Sequence, residues 1–360
     1  MRKGWEYKRL GEVCTIKAGY TPKKNELSDN GAYPYYKVAD MNTLGNDVYL
    51  DITSSYKIDA NKLFPKGAIV FPKNGAAVST NKKRILKYDS IVDLNTGVAI
   101  FPKSINEKFA YYWFIDTDFK KYVRGGALPT LDIKSLKDKP FPSMDKSIQL
   151  AIVSELDKIN ELIRLKKEQL KDFDNLAQSL FYEMFGDPVE NEKGWEEKKL
   201  GDVYKMKSGD SLSTKNFIEG DIPVYGGNGI SGYHNQYNKD GSYIIIGRVG
   251  VYCGNARIVK GQFWLTDNAF ELFYDKSIQN EVFVCKLLNL LNLRQYANAA
   301  AQPVISNNTL KHIPIPLPPL SLQRLFAQRI EQIEREKSEV QKSIQDLETL
   351  LASRMQYWFE

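Results

Sequence analysis

The chain states the same opening twice. Gly4-Trp5-Glu6-Tyr7-Lys8-Arg9-Leu10-Gly11-Glu12-Val13 returns as Gly194-Trp195-Glu196-Glu197-Lys198-Lys199-Leu200-Gly201-Asp202-Val203. Each copy leads through a strand-rich segment into a proline-rich entry and a long heptad-patterned helix. A duplication of this size predicts two similar modules related by a pseudo-two-fold axis. Two heads and two long helices suit a ligand with two parts.

The copies do not keep one offset. Trp5 and Trp195 stand 190 residues apart. Tyr122 and Tyr296, Pro129 and Pro303, Leu136 and Leu310, and Pro140 and Pro314 all stand 174 apart. The helices share that offset, with Gln149 matching Gln323 and Phe185 matching Phe359. The second head is therefore 16 residues shorter ahead of its helical part. Either the loops drifted after duplication, or each head reads something different.

The pattern divides the chain into a first head at 1–142, a helix at 143–185, a linker at 186–193, a second head at 194–315 and a second helix at 316–360. In the first head, Tyr33–Val38, Gly67–Phe71 and Gly97–Phe101 read as short strands, and Glu107–Arg124 reads as helical. In the second, Ile222–Tyr225, Tyr243–Ile246 and Phe270–Tyr274 read as strands and Asn280–Tyr296 as helical. The expected class is α+β, two pseudo-symmetric heads separated by an antiparallel coiled coil. Ile313-Pro314-Ile315-Pro316-Leu317-Pro318-Pro319-Leu320 is expected to be neither helix nor sheet interior.

Apolar residues recur at spacings of three and four along both helices. The first seam contains Leu156, Ile159, Ile163, Leu170 and Phe173, and the second contains Ile330, Ile333, Val340, Ile344, Leu347 and Leu351. Gly186-Asp187-Pro188 stops the first helix. Helices of about 39 residues would be roughly 58 Å long and must bury these seams. The sister helix is the expected partner. Lys166 and Lys337 each interrupt a seam, and must reach water or a carboxylate on the facing helix.

Charge is uneven. The chain carries 50 Lys and Arg against 44 Asp and Glu, a formal +6. Residues 1–142 hold 24 basic against 15 acidic residues, and residues 194–315 hold 13 against 11. The helical segments are slightly acidic. Positive heads suit a polyanion. Cys14, Cys253 and Cys285 lie far apart, without a CxxC or Cys/His cluster, so neither a disulfide scaffold nor a zinc site is indicated. The start is charged at once by Arg2 and Lys3, and no run of about 18 apolar residues occurs, so a cytoplasmic chain without a membrane span is expected.

Catalytic patterns are missing. There is no phosphate loop, no Asn/Asp-Pro-Pro-aromatic methyltransferase motif and no glycine-rich cofactor loop. Glu6-Tyr7-Lys8 and Glu196-Glu197-Lys198 resemble half of a nuclease site without its remainder. His234 lacks a nucleophile or carboxylate cluster, and Cys253 reads as core. A non-catalytic binding protein with no cofactor of its own is expected.

The candidate contacts to DNA are basic and amide residues near strands. Lys and Arg neutralise phosphates, and Asn, Gln and Arg read base edges. In the first head they are Lys23, Lys24, Lys37, Lys73, Asn74, Lys82, Lys83 and Arg84. In the second they are Asn228, Tyr233, His234, Asn235, Gln236, Arg248 and Arg257, several within the glycine-rich stretch Tyr225–Tyr237. Arg248 stands where Lys73 stands in the first head.

The whole pattern resembles the specificity subunit of type I restriction–modification systems. The resemblance rests on the repeated Trp-x-x-Lys-[Arg/Lys]-Leu-Gly-[Glu/Asp]-Val opening and on the Ile313–Gln323 helix entry. The first copy of that entry is degraded to Lys139-Pro140-Phe141-Pro142-Ser143-Met144, with Gln149 retained. It implies two target-recognition domains, each reading half of a split double-stranded DNA target, with the helices setting the gap. It also implies docking of two methyltransferase subunits, which carry restriction subunits and bring S-adenosylmethionine and ATP. Heads about one DNA turn apart, roughly 34–36 Å, would face one side of a duplex. Two other readings remain: the DNA-reading subunit of a related multi-subunit restriction system, and a two-headed coiled-coil adaptor that binds proteins.

Overall fold

The computed structural model describes residues 5–57, 62–125, 128–298 and 302–359. Gly4, Arg2, Lys3 and Glu360, which figured in the sequence reading, lie outside them. The chain forms two compact units. One comprises Met1–Lys166 with Ser343–Glu360, and the other Lys167–Lys342. Each unit is therefore one head plus part of each long helix.

Both heads are built on one frame. The opening strand Glu6–Arg9 pairs antiparallel with Pro140–Ser143, and Glu197–Lys199 pairs with Pro314–Pro316. The proline-rich segments thus include short edge strands, which agrees with their exclusion from helix and sheet interior. Each lies in a two-stranded sheet, where proline's missing N–H costs no ladder bond to a further strand. A short helix follows each opening, Leu10–Val13 and Leu200–Val203, with Leu10 and Leu200 fully buried. Then come three antiparallel frame strands. In the first unit Thr15–Ala18 pairs with Thr96–Ile100, which pairs with Ile69–Pro72. In the second Lys205–Ser208 pairs with Ala269–Phe273, which pairs with Lys239–Gly247.

The expected helical stretches are shorter and composite. The first is the helix Glu107–Asp116, a 3-10 turn at Phe119–Tyr122 and a strand at Val123–Arg124. The second is Glu281–Leu290 followed by a 3-10 turn at Leu293–Tyr296. Asn106 and Asn280 cap these helices, each accepting two backbone N–H groups.

Beyond the frame both heads keep the next antiparallel strand, Arg84–Leu86 against Ala256–Leu265, and one parallel pair, Tyr33–Tyr36 with Ile91–Val92 against Ile222–Gly226 with Ala256–Leu265, and the rest diverges. The first continues its sheet through Arg84–Leu86 to Tyr49–Leu50 and adds a four-stranded sheet of Leu27–Ser28, Tyr56–Lys57, Tyr33–Tyr36 and Ile91–Val92. The second continues through Ala256–Leu265 and Ile222–Gly226 to the edge strand Gly229–His234.

The long helices span Lys146–Phe185 and Leu320–Phe359. Gly186 ends the first with φ +78°, its N–H donating to the Tyr182 carbonyl at 2.8 Å. Within the second unit, Asp174 meets Lys337 at 2.8 Å while Phe181 packs edge-on against Phe326, so the helices run antiparallel. Lys337 does find the facing carboxylate its seam position requires. In the first unit Arg354 pairs with Glu155, and this guanidinium holds the Glu155 carboxyl below its usual range. Leu156, Ile159, Ile163, Ile333, Val340 and Ile344 are buried, and Leu170, Phe173, Ile330, Leu347 and Leu351 are half-buried.

Helix ends complete the cores of the heads. Phe359 lies 5.5 Å from Phe109 in the first unit, and Phe185 lies 4.8 Å from Phe283 in the second. Gln149 and Gln323 lock each helix start to its head. The Gln149 side-chain oxygen accepts the Asn106 N–H at 2.7 Å while its amide donates to the Met144 and Ser104 carbonyls. Gln323 repeats this with Asn280 at 2.9 Å, Pro318 and Ile278. Both glutamines are within 1% of complete burial.

Candidate nucleic-acid interface

A basic residue contacts DNA only if its donors are free to leave the protein, so the candidates separate by where their side chains are spent. Lys23, Lys24 and Lys37 are exposed. Lys37 lies over the Tyr35 ring at 5.9 Å. Lys82 is half-buried and donates to the Asn42 side-chain oxygen. Lys73 and Asn74 are half-buried, with the Asn74 amide oxygen 3.1 Å from the Lys73 ammonium once the amide is turned to face it.

Three candidates are removed by their surroundings. Lys83 is completely buried, donates to Asn81 at 2.6 Å and to the Thr117 carbonyl at 2.8 Å, and stands 4.1 Å over the Phe119 ring. Burial pushes its ammonium down from 10.5 to about 7. Arg84 gives its guanidinium to the carbonyls of Asn46, Lys83 and Met41 and staples a loop to the sheet. His234 is buried, accepts the Ile218 N–H on Nδ1 at 3.0 Å, and packs against Phe217 and Trp264. All three serve the fold.

In the second head the remaining candidates fall into two groups. Tyr233, Asn235 and Gln236 are exposed along and just past the edge strand. Asn228 is exposed at the turn Gly226–Gly229, beside the loop that follows Gly247. A Cβ on Gly227 would stand 2.3 Å from the Val249 carbonyl oxygen, and one on Gly250 would stand 3.0 Å from the Asn228 side-chain oxygen. Arg257 approaches the same turn, with its Nη1 2.5 Å from the Cβ position of Gly229. Arg248 is half-buried, lies 5.5 Å over the Phe270 ring, makes long hydrogen bonds of 3.4 Å to the Ser208 hydroxyl and the Asp267 carbonyl, and has a buried Nε without a hydrogen-bond partner. Tyr252 and Val251 extend from the same loop, more than half exposed.

The expected match between Lys73 and Arg248 holds bond for bond. The Lys73 N–H donates to the Asn95 carbonyl at 2.8 Å, and its carbonyl accepts from Leu131 at 2.9 Å. The Arg248 N–H donates to the Asn268 carbonyl at 2.9 Å, and its carbonyl accepts from Ile305 at 3.0 Å. Two residues on, Gly75 and Gly250 take φ +78° and +86° and donate to Pro129 and Pro303. A side chain is strained at that φ, which is why glycine recurs there.

Sequence reasoning missed Asn95 and Asn268, the exposed residues bonded to this pair. Their signal was weak, Asp93-Leu94-Asn95-Thr96 against Thr266-Asp267-Asn268-Ala269. It missed the clamping role of Gln149 and Gln323, although their retention was visible. Among the described residues, no group of three or more His, Cys, Asp or Glu could hold a metal ion, and no helix is long and apolar enough to cross a membrane.

The comparisons agree with the duplication. A family profile described as the type I restriction modification DNA specificity domain matches residues 2–172 and again 192–349. The specificity subunit of the type I restriction enzyme EcoprrI from Escherichia coli is 27% identical over 348 residues, covering 89% of this chain and 86% of that protein. The MjaIX specificity subunit from Methanocaldococcus jannaschii is 28% identical over 243 residues, covering 58% of this chain and 53% of that one. The fold is shared with the S subunit of a type I restriction–modification system from M. genitalium, at TM-score 0.59 and 18% identity over 99% of this chain and 96% of that one. It is also shared with a chain from a study of complex assembly and conformational transition of the type I R-M system, at TM-score 0.66 and 18% identity over 100% and 98%. With two family domains in tandem across most of its length, the chain belongs to the type I restriction–modification DNA specificity family.

Proposed function

We propose that this chain reads a bipartite DNA target, one half-site per head, as the non-catalytic specificity subunit of a type I restriction–modification complex. The observation that carries the reading is the duplicated frame with unlike inserts. A common frame holds two recognition surfaces, and the different strands it carries let each read a different sequence. Exposed Lys, Asn, Gln and Tyr on those inserts are the residue types that bind phosphates and base edges. Methyltransferase subunits dock on the assembly, restriction subunits join through them, and the chemistry is theirs.

The long helices set the gap between half-sites. Removing one heptad from each is expected to change the gap length and leave both half-sites unaltered. Altered half-sites would contradict this role. The binding claim itself is tested by DNA affinity of the full chain, assembled with its methyltransferase subunit, against salt concentration. Phosphate contacts require affinity to fall steeply as salt rises. A protein-binding adaptor would show no such dependence.

A further inference from the structure

The two half-sites of a split target differ in base sequence but share one thing, the phosphate backbone. Whatever exposed chemistry both heads present at the same point of the same frame therefore belongs to the backbone, and whatever they do not share is free to read bases. The matched loop after the frame strands Ile69–Pro72 and Lys239–Gly247 satisfies the first condition. It presents a cation in both heads, Lys73 and Arg248, fixed by the same backbone bonds to an exposed asparagine, Asn95 and Asn268.

Both cations are half-buried, and neither is held by a short hydrogen bond to a backbone carbonyl. Arg248 lies 5.5 Å over the Phe270 ring, makes two hydrogen bonds of 3.4 Å and has a buried Nε with no hydrogen-bond partner, whereas Arg84, a structural arginine, gives its guanidinium to three carbonyls. The Lys73 ammonium faces the side-chain oxygen of its neighbour Asn74 at 3.1 Å once that amide is turned. The surroundings of the pair differ sharply. In the second head the turn Gly226–Gly229 with Asn228, the guanidinium of Arg257 and the exposed Tyr252 crowd the loop. In the first head the neighbours are exposed Leu94 and Leu128.

Resting on the DNA-reading function above, we propose that Lys73 and Arg248 are matched phosphate anchors, one per head. Each holds the DNA backbone at the same point of its half-site, with Asn95 or Asn268 beside it as a neutral second donor. Asn228 and Tyr252, whose matched positions in the first head hold Ala39 and Ala77, read the bases next to the anchor.

The test uses the full chain in its complex with the methyltransferase subunit, and compares Lys73→Gln, Arg248→Gln and the double variant on the target and on targets altered in one half-site. Each single variant is expected to weaken binding about fivefold at 0.15 M salt, equally on all targets, and to reduce the slope of log affinity against log salt by about 1. The double variant is expected to reduce it by about 2. Lys73→Arg and Arg248→Lys are expected to keep the slope, because a phosphate anchor needs charge rather than the fork geometry of one side chain. An unchanged slope in both glutamine variants, or a loss confined to one half-site sequence, would overturn the proposal, as would failure of Arg248→Lys to restore binding. If the unmodified complex shows no salt-dependent affinity, the DNA-reading function fails, and with it this inference. Thermal melting of each variant separates lost anchoring from lost fold.

Discussion

The first and second heads hang their recognition elements on one frame, and the difference lies in where the frame tolerates change. The offset between them is 190 at the first frame strand, Thr15–Ala18 against Lys205–Ser208, and has fallen to 175 at Lys73 and Arg248. Nearly all of the length difference thus sits between the first frame strand and the loop of Lys73 and Arg248. From the caps Asn106 and Asn280 onward the offset is 174 without a gap. Parts that face the helices are held constant, and parts that face away from the frame are free.

A second difference lies where head meets helix. In the first unit Tyr112 donates its hydroxyl to Asp157 at 2.6 Å, Lys108 reaches the same carboxylate at 2.7 Å, and Asn160 donates to the Tyr112 oxygen at 3.2 Å. The matching residues of the second unit are Val282, Lys286, Glu331 and Glu334. There an open groove remains, lined by Ile258, Val282 and Ile330 with Lys260, Glu331 and Arg335 at its sides. The frame is shared, but its closure onto the helix is made by polar bonds in one unit and left partly open in the other.

The shared part breaks first if the comparison is wrong. Gln149→Ala and Gln323→Ala each leave one N–H and two carbonyls at the helix start without their side-chain partner, at a cost of about 3 kcal/mol. Equal costs by urea unfolding are expected. A large cost at one glutamine and none at the other would mean that the two helix starts are not equivalent.

The buried Lys83 has no counterpart cation in the matched frame, and it makes the first head sensitive to pH. Below about pH 7 folded and unfolded chains both hold the proton. Between about 7 and 10.5 the unfolded chain holds a proton that the folded chain has released, so stability from this group rises with pH. Lys83→Met removes that dependence. Relative to the variant, the native chain should gain about 3 kcal/mol between pH 7 and pH 9.5. Parallel stability profiles would contradict the burial.

The smallest expected effect is at the helix junction. Tyr112→Phe is expected to cost about 1 kcal/mol in the first unit, since Asp157 and Asn160 each lose a partner. Grafting the network into the second unit by Val282→Lys with Lys286→Tyr should raise stability by about 1 kcal/mol. No gain would mean that the groove is already well packed.

What the sequence disclosed follows from what is local. The repeated opening, the helix boundaries near Gly186 and the heptad seams depend on spacing along the chain, and each was readable. Burial was not. Lys82, Lys83 and Arg84 look alike as a basic run, yet neighbours along an extended segment face opposite sides, so Lys83 enters the core while Lys82 stays at the surface. His234 follows the same rule at the end of its strand. The proline-rich entries pair with openings more than a hundred residues away, which composition alone does not reveal. The order of strands beyond the frame, including the parallel pairing of Ile222–Gly226 with Ala256–Leu265, is likewise set by distant partners.

The central claim is that each head reads half of one split target. The most direct measurement is base-resolved mapping of methylated adenines in DNA from cells that express this chain with its methyltransferase subunit, against cells that lack the chain. A two-part motif with a fixed gap, lost without the chain, is the predicted result. Methylation without any motif that depends on this chain would contradict the account.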